Sequence, residues 1–287
     1  MKLAHLILAH NNPDQLARLV NGLSHPDADI YIHLDAKADP APFTAVIGPR
    51  EGVYLIENRV KVAWGEYSTI QGTLNGMEEI LASGKDYSHI NLLSGNDYPL
   101  QSAEEIQRFL FANADKTFML YDPIPEGWIH GAVRINTRYY GDYGFPGRYH
   151  LGGLVNRLLP KRKVPLNLTP YGRSQWLSIT PDCTAYVLEY VRLHPRVRRF
   201  FRKTWAVDEV FFQTILCNSP LRNALVNDNL RHIVMDEEFR PMVWTMGDAE
   251  TLTNSGKFYA RKFDNGKDKA IFDYLDNRIL QPLPEHS

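Results

Sequence analysis

Three short stretches of this chain put reactive residue types where chemistry could be done. Ser94-Gly95-Asn96-Asp97-Tyr98-Pro99-Leu100 directly follows the apolar run His89-Ile90-Asn91-Leu92-Leu93. A buried strand running into Ser-Gly-Asn-Asp and then Pro predicts a strand end that opens into a sharp loop. In open α/β sheets ligands bind outside the carboxyl ends of the strands, so this loop stands where such a fold does its chemistry. A plain turn with Asp97 capping the next helix fits the same residues. The second stretch, Trp205-Ala206-Val207-Asp208-Glu209-Val210-Phe211-Phe212-Gln213-Thr214, sets adjacent acids at the start of an apolar helical pattern. Neighbouring helical residues point about 100° apart, so the acids cannot share one task. One suits the helix dipole, and the other can face a cleft as a general base. An ordinary helix N-terminus would look the same. The third, Gly256-Lys257-Phe258-Tyr259-Ala260-Arg261-Lys262-Phe263-Asp264, is a basic pair in an aromatic frame. That combination suits anchoring an anion.

The elements that must position these residues read as alternating strands and helices. Lys2 to Ala9, Ile30 to Asp35, Val53 to Ile56, His89 to Leu93 and Phe118 to Leu120 read as strands. Between them, Gln15 to Leu23 and a stretch beginning near Glu66 or Tyr67 and running to Leu81 have helical spacing. Ser102 with Glu105 three residues on predicts a capping box for a helix to Ala112. Such alternation marks a mostly parallel sheet. Residues 122–172 are rich in Gly, Pro, Tyr and Arg and include the basic run Pro160-Lys161-Arg162-Lys163. That run is either a solvated loop or a contact for an anionic acceptor or membrane surface. Further on, Trp176 to Thr180, Leu230 to Met235 and Val243 to Met246 read as strands. Pro181 to Leu193, Asp208 to Cys217 and Ala249 to Asn254 read as helices, and Phe258 to Phe263 closes the pattern.

Composition bounds the function. A chain of 287 residues suits one large α/β domain or two small ones sharing a core. With 32 basic and 33 acidic residues the net charge is -1, so nothing points to a nucleic-acid partner. Cys183 and Cys217 have neither metal-ligand spacing nor a disulfide framework. No stretch approaches the roughly 18 apolar residues that span a bilayer, and Leu3 to Ala9 is too short for a secretory leader. No Gly-x-Gly-x-x-Gly follows the first strand, which argues against a dinucleotide enzyme.

The segment "HINLLSGNDYPL" and the segment "DEVFFQT" together resemble the core-2/I-branching N-acetylglucosaminyltransferases and peptide O-xylosyltransferases, one family of nucleotide-sugar transferases. Three weaker likenesses stand in the same order. They are the first strand with Ile32-His33-Leu34-Asp35, the segment Trp64-Gly65-Glu66-Tyr67-Ser68, and Gly172-Arg173-Ser174-Gln175-Trp176. The resemblance implies a GT-A-like α/β fold, with residues 1–121 as the nucleotide-sugar half and 122–287 as the acceptor-binding and catalytic half. It implies inverting transfer of GlcNAc or xylose from a UDP-sugar to an acceptor hydroxyl. Glu209 would be the base, by likeness to a "PDE" motif whose Pro is Val207 here, with Asp208 as its structural partner. His10 and Asp35 would contact the nucleotide, and Ser94, Gly95 and Asp97 would hold the nucleotide or the reacting sugar. Trp64, Gly65 and Ser68 would support the donor from beside it. Gln175 and Trp176 would meet the acceptor, with Ser174 also within reach of its hydroxyls. The family does without metal, so no cofactor is expected, and Lys262 with an Arg would take the diphosphate. Arg240 is the choice, because Arg261 would point away from Lys262 on an extended strand. The one Asp-x-Asp, Asp27-Ala28-Asp29, reads as a surface loop at the wrong end of the sheet. A cytoplasmic bacterial enzyme is expected, with room for peripheral contact at the inner membrane face, acting on a glycan or lipid-linked saccharide in surface-glycan synthesis. The alternatives are a metal-dependent transferase or nucleotide-sugar hydrolase, and a catalytically silent carbohydrate-binding protein.

Overall fold

A computed structural model of the chain describes residues 1–124, 126–129, 131–141, 146–238 and 240–280. Its first strand, β1 (Lys2–Ala9), is buried on both faces: Leu3 and Ile7 enter one hydrophobic cluster, Ala4 and Leu6 the other. Burial on both sides is why the run is almost continuously apolar. Then come α1 (Pro13–Leu23), β2 (Ala28–Leu34), α2 (Ala41–Ile47), β3 (Val53–Leu55), α3 (Tyr67–Ala82) and β4 (Tyr87–Ser94). β5 (Asp97–Pro99), α4 (Ala103–Phe111) and β6 (Thr117–Pro123) follow. The expected capping box opens α4: Glu105 N–H donates to Ser102 Oγ and Ser102 N–H to Glu105 Oε2. Such a cap contributes about 1 kcal/mol.

The second part holds α5 (Gly131–Asn136), α6 (Arg148–Leu158), β7 (Tyr171–Ile179), α7 (Pro181–Leu193), α8 (Pro195–Phe201) and α9 (Phe211–Cys217). The chain goes on with β8 (Leu225–Val226), β9 (Arg231–Ile233), α10 (Ala249–Thr253), β10 (Tyr259–Arg261) and α11 (Ala270–Leu280). The larger sheet has the order β3-β2-β1-β4-β7-β6-β8 and the smaller β5-β10-β9. β1 to β4 are parallel, while β7 lies antiparallel to both β4 and β6. The fold is therefore α/β around a mostly parallel sheet, as expected. Helices α3, α7 and α9 pack on one face and α1, α4 and α11 on the other. β7 sits between β4 and β6, so the sheet runs through both expected halves. Residues 281–287 of the second half lie outside the described residues.

Several expectations are corrected. The stretch 122–172, for which the sequence pattern named no element, carries α5 and α6. The helix expected from Asp208 starts only at Phe211; Val207–Glu209 is a single 3-10 turn, set off by Val210 at φ -131°. Val243 to Met246 forms no strand. Trp244 is instead tied by its N–H to Lys262 O at 2.9 Å. Asp29 is fully buried in β2 and is no surface loop. Its carboxylate takes Lys85 Nζ at 2.7 Å, Lys2 Nζ at 3.3 Å and the Tyr87 hydroxyl at 2.6 Å. The β1–β2 register, Ala4 against Asp29, draws it into the sheet, and its cationic neighbours make that burial tolerable.

Candidate active site

At the carboxyl end of β4 the chain closes a compact polar knot. Ser94 N–H donates to Asp97 Oδ2 at 2.8 Å and the Ser94 hydroxyl to Asp97 Oδ1 at 3.2 Å. Asp97 does not cap a helix; it belongs to β5, where it stands opposite Arg261 of β10. Arg261 Nη1 lies 2.8 Å from Asp97 Oδ1 and also donates to Ser94 Oγ. Arg261, expected to point away from Lys262, meets the Ser94–Asp97 loop, because β10 runs antiparallel against β5. The guanidinium also covers the Trp176 ring, 4.6 Å from its centre.

Two buried residues that sequence patterns did not single out brace this knot. Gln15 Nε2 donates to Gly95 O at 2.8 Å and Phe263 O at 3.2 Å, while Gln15 Oε1 accepts from Asn265 N–H. Arg231 donates to Asn91 Oδ1 at 2.6 Å, Leu92 O at 2.8 Å and Leu177 O at 3.2 Å. Among the described residues it has no carboxylate in an ion pair, and burial pulls its guanidinium down to about 10. A buried cation held by neutral acceptors ties the end of β4 to β7.

The second wall is built around the acids. Ala206, in the left-handed region at φ 48°, donates its N–H to Gly65 O at 2.7 Å. Gly65 itself has φ +72°, and a Cβ there would lie 3.0 Å from Trp205 Nε1. The Trp64–Ser68 segment therefore supports the acid-bearing turn, and the exposed Trp64 ring packs edge-on against Trp205 at 5.8 Å. Glu209 Oε2 pairs with Arg134 Nη2 at 2.5 Å. Arg134 lies 4.7 Å from the ring centre of Trp128 and 5.5 Å from that of Trp205. Burial pushes the Glu209 carboxyl up to about 7, against the pull of Arg134 and with added repulsion from Asp208. Burial also raises Asp208, against the charges of Arg134 and Arg261. Asp208 Oδ1 is buried with no hydrogen-bond partner among the described residues. β7 passes close behind: a Cβ on Gly172 would stand 2.7 Å from Glu209 O, Trp128 and Val210.

The other expected site residues fall in distinct places. Asp35 N–H donates to Ala9 O at 2.8 Å, and Gly95 N–H to Leu8 O at 3.0 Å. His10, Asp35, Ser94, Gly95 and Asp97 thereby converge at the carboxyl ends of β1, β2 and β4. His10 is exposed, whereas Asp35 is buried and accepts Lys37 N–H at 2.8 Å. Lys262 is held by its backbone to Met242 O and Trp244 N–H. Among the described residues its ammonium has no hydrogen-bond or ion-pair partner. Trp176 is buried beneath Arg261, and Gln175 is half-buried beside it on β7. Arg240 is not brought to the knot. It is 67% exposed and engaged by Glu238 at 2.5 Å and Asp236 at 3.4 Å. The residues missed in the sequence, Arg134, Trp128, Gln15 and Arg231, carry no spacing signal toward Glu209 or Asp97. Only the packing joins them.

The arrangement brings a desolvated carboxyl, cations and the ends of parallel strands together. That is suited to proton abstraction beside a bound anion. Comparison with known proteins bears on what such an arrangement serves. Xylosyltransferase 2 of Rattus norvegicus is 26% identical over 99% of this chain and 34% of its own length. Xylosyltransferase 2 of Homo sapiens matches equally, and the Xylosyltransferase of Ciona intestinalis is 24% identical over 99% of this chain. The chain thus spans about a third of the length of the curated relatives it matches. Among solved structures, a putative nucleotide-diphospho-sugar transferase from Desulfovibrio desulfuricans G20 matches at TM-score 0.29 and 17% identity, over 42% of this chain and 58% of that one. The model of the family described as Core-2/I-Branching enzyme matches residues 3–254, a stretch that contains the β4 loop and the Glu209 turn and ends before Arg261 and Lys262. On that match, the chain belongs to the Core-2/I-Branching enzyme family.

Proposed function

We propose that this chain is an inverting glycosyltransferase that moves a sugar from a UDP-sugar to an acceptor hydroxyl without a metal. The observation that carries this reading is the Glu209 carboxyl, raised to about 7 by burial beside Arg134. A base poised near the working pH is what removal of a hydroxyl proton needs. The proton leaves the acceptor oxygen as that oxygen attacks the anomeric carbon, and the bond to the diphosphate breaks on the opposite face. Lys262, with Arg261 beside it, neutralises the departing diphosphate; that cationic pair is the reason for expecting no metal. Arg240 is the other candidate cation. His10, Asp35 and the Ser94–Asp97 loop hold uridine and the reacting sugar in a GT-A-like arrangement. Residues 1–121 serve the donor, and residues from 122 on, including Gln175 and Trp176, the acceptor.

UDP-xylose and UDP-GlcNAc are the donors to test first, and the relatives named xylosyltransferase favour xylose. The acceptor is a saccharide of a bacterial surface glycan, free or lipid-linked, met in the cytoplasm or at the inner membrane face. Release of UDP from each donor is to be measured with EDTA and with Mn²⁺. UDP release that persists in EDTA is expected. Loss in EDTA with rescue by Mn²⁺ would replace the metal-free reading with a metal-dependent one. No donor binding in a thermal-shift titration would remove the transferase reading altogether.

A further inference from the structure

The chain is nearly neutral, yet its charge is unevenly placed. Residues 138–203 hold thirteen Lys and Arg against three Asp and Glu, while the whole chain carries net -1. Away from Glu209, a groove of about 640 Å³ is lined by seven of these cations, among them Arg138, Lys161, Lys163, Arg196 and Arg199. None of the described residues lining it is acidic. Among the described residues, those five cations take part in no ion pair. Arg162, at its floor, is buried and donates to the carbonyls of Thr137, Phe200 and Lys203, which fixes the basic run to α8. The groove is therefore a set of aligned, unneutralised cations on a rigid base.

Beside it lies an apolar face of unusual exposure. Leu151, Leu154 and Leu158 are spaced to share one side of α6, and all three are exposed, Leu158 at 72%. Leu159 and Leu166, flanking the basic run, and Val133 on α5 are exposed too. The two features are mechanically joined. Asn156 on α6 accepts Arg138 N–H at 2.7 Å and donates to Arg138 O at 2.8 Å, and Arg138 Nη1 donates to Pro160 O. Leucines projecting beside a cationic groove match the two layers of a bilayer surface, acyl chains below and anionic headgroups above.

We propose that this face docks the protein on an anionic phospholipid membrane, with the α6 leucines inserted at the acyl boundary and the groove cations on headgroup phosphates. α5 links the surface to the chemistry: Val133 is exposed on it while Arg134, the next residue, holds Glu209. Docking would thus set the acceptor wall against the bilayer, where a lipid-linked acceptor is presented. That last step rests on the transferase reading; the membrane binding does not.

Co-sedimentation of the full chain with phosphatidylcholine vesicles, and with vesicles one third phosphatidylglycerol, tests this with no donor present. Binding to the anionic vesicles should exceed that to neutral ones by more than tenfold and weaken in high salt. Each cation neutralised in Lys161→Gln, Lys163→Gln and Arg199→Gln should cost about fivefold, and Leu154→Asp with Leu158→Asp should abolish binding. Thermal unfolding of the same variants would separate loss of binding from loss of fold. Equal binding to both vesicles, or binding that folded variants leave intact, would overturn the proposal. So would an apolar face that buries itself in a concentration-dependent dimer, or a groove that takes inorganic phosphate while no vesicle binds. UDP release by a protein that ignores vesicles would sink the docking and leave the transferase standing; vesicle binding without donor binding would do the reverse.

Discussion

The two sides of the candidate site treat their carboxylates in opposite ways. Asp97 is 1% exposed and satisfied from three directions, by Ser94 N–H, the Ser94 hydroxyl and Arg261. Among the described residues Glu209 has one cationic partner, and burial raises its carboxyl to about 7. Its neighbour Asp208 is also raised by burial and leaves an oxygen without a hydrogen bond among the described residues. A fully paired buried carboxylate holds architecture together, because removing either partner strands a charge. A carboxylate kept near the point of protonation is costly to the fold and useful to chemistry. In the proposed reaction the β4 knot, paired within itself, holds the donor side in place, and the 3-10 turn supplies the base.

The largest expected effect separates these roles directly. Glu209→Gln should lower transfer by about 10²–10⁴-fold, the usual worth of a general base, while UDP-sugar affinity and thermal stability stay close to those of the parent. Asp97→Ala should do the opposite first: it leaves Arg261 without its buried partner and should cost about 3–5 kcal/mol of stability in denaturant unfolding. A stable Asp97→Ala protein, or a Glu209→Gln protein that still transfers, would erase the contrast.

Lys262→Ala sharpens the assignment of the diphosphate. A charge-assisted phosphate contact contributes roughly 1.5–3 kcal/mol, so UDP affinity should fall by about one to two orders of magnitude. Uridine, which lacks phosphates, should bind unchanged in the same calorimetric titration. Running Arg240→Ala and Arg261→Lys beside it would show which Arg shares the load. Equal losses for UDP and uridine would make Lys262 a support of the fold.

The smallest effect is a shift along the pH axis. A base must be deprotonated to act, so kcat/KM should rise with pH through about 7 and level off above it. Arg134 opposes the raised value, so Arg134→Gln should move that limb to higher pH. The linked stability has the opposite sign. Because folding raises the carboxyl above its ordinary range, the native state keeps a proton that the unfolded chain has lost, and this contribution disappears as pH rises through about 7. A limb unmoved in Arg134→Gln would mean that another group controls the profile.

Much of this was legible in the chain. The runs Lys2 to Ala9 and His89 to Leu93 could only be buried strands, and Ser102 with Glu105 marks the start of α4 through local hydrogen bonds. The convergence of Asp35 and the Ser94 loop follows from parallel strands ending on one side of a sheet. Less visible were α5 and α6, because α5 is only six residues long and α6 carries the pair Gly152-Gly153 at its centre. The meeting of Arg261 with Asp97 was not legible, because a strand's alternation says which residues share a face, but not which face meets the loop.

The sequence by itself determined the mostly parallel α/β core, the loop at the end of β4, and the acids and cations available for chemistry, because these depend on periodicity and on neighbours within a few residues. Only the tertiary structure decided which charges meet. Arg134 is 75 residues from Glu209, and Arg261 is 164 from Asp97. Pairing over such distances is set by how sheets and helices pack. The same packing decides which carboxyl is half-buried and shifted toward its neutral form and which is buried and satisfied.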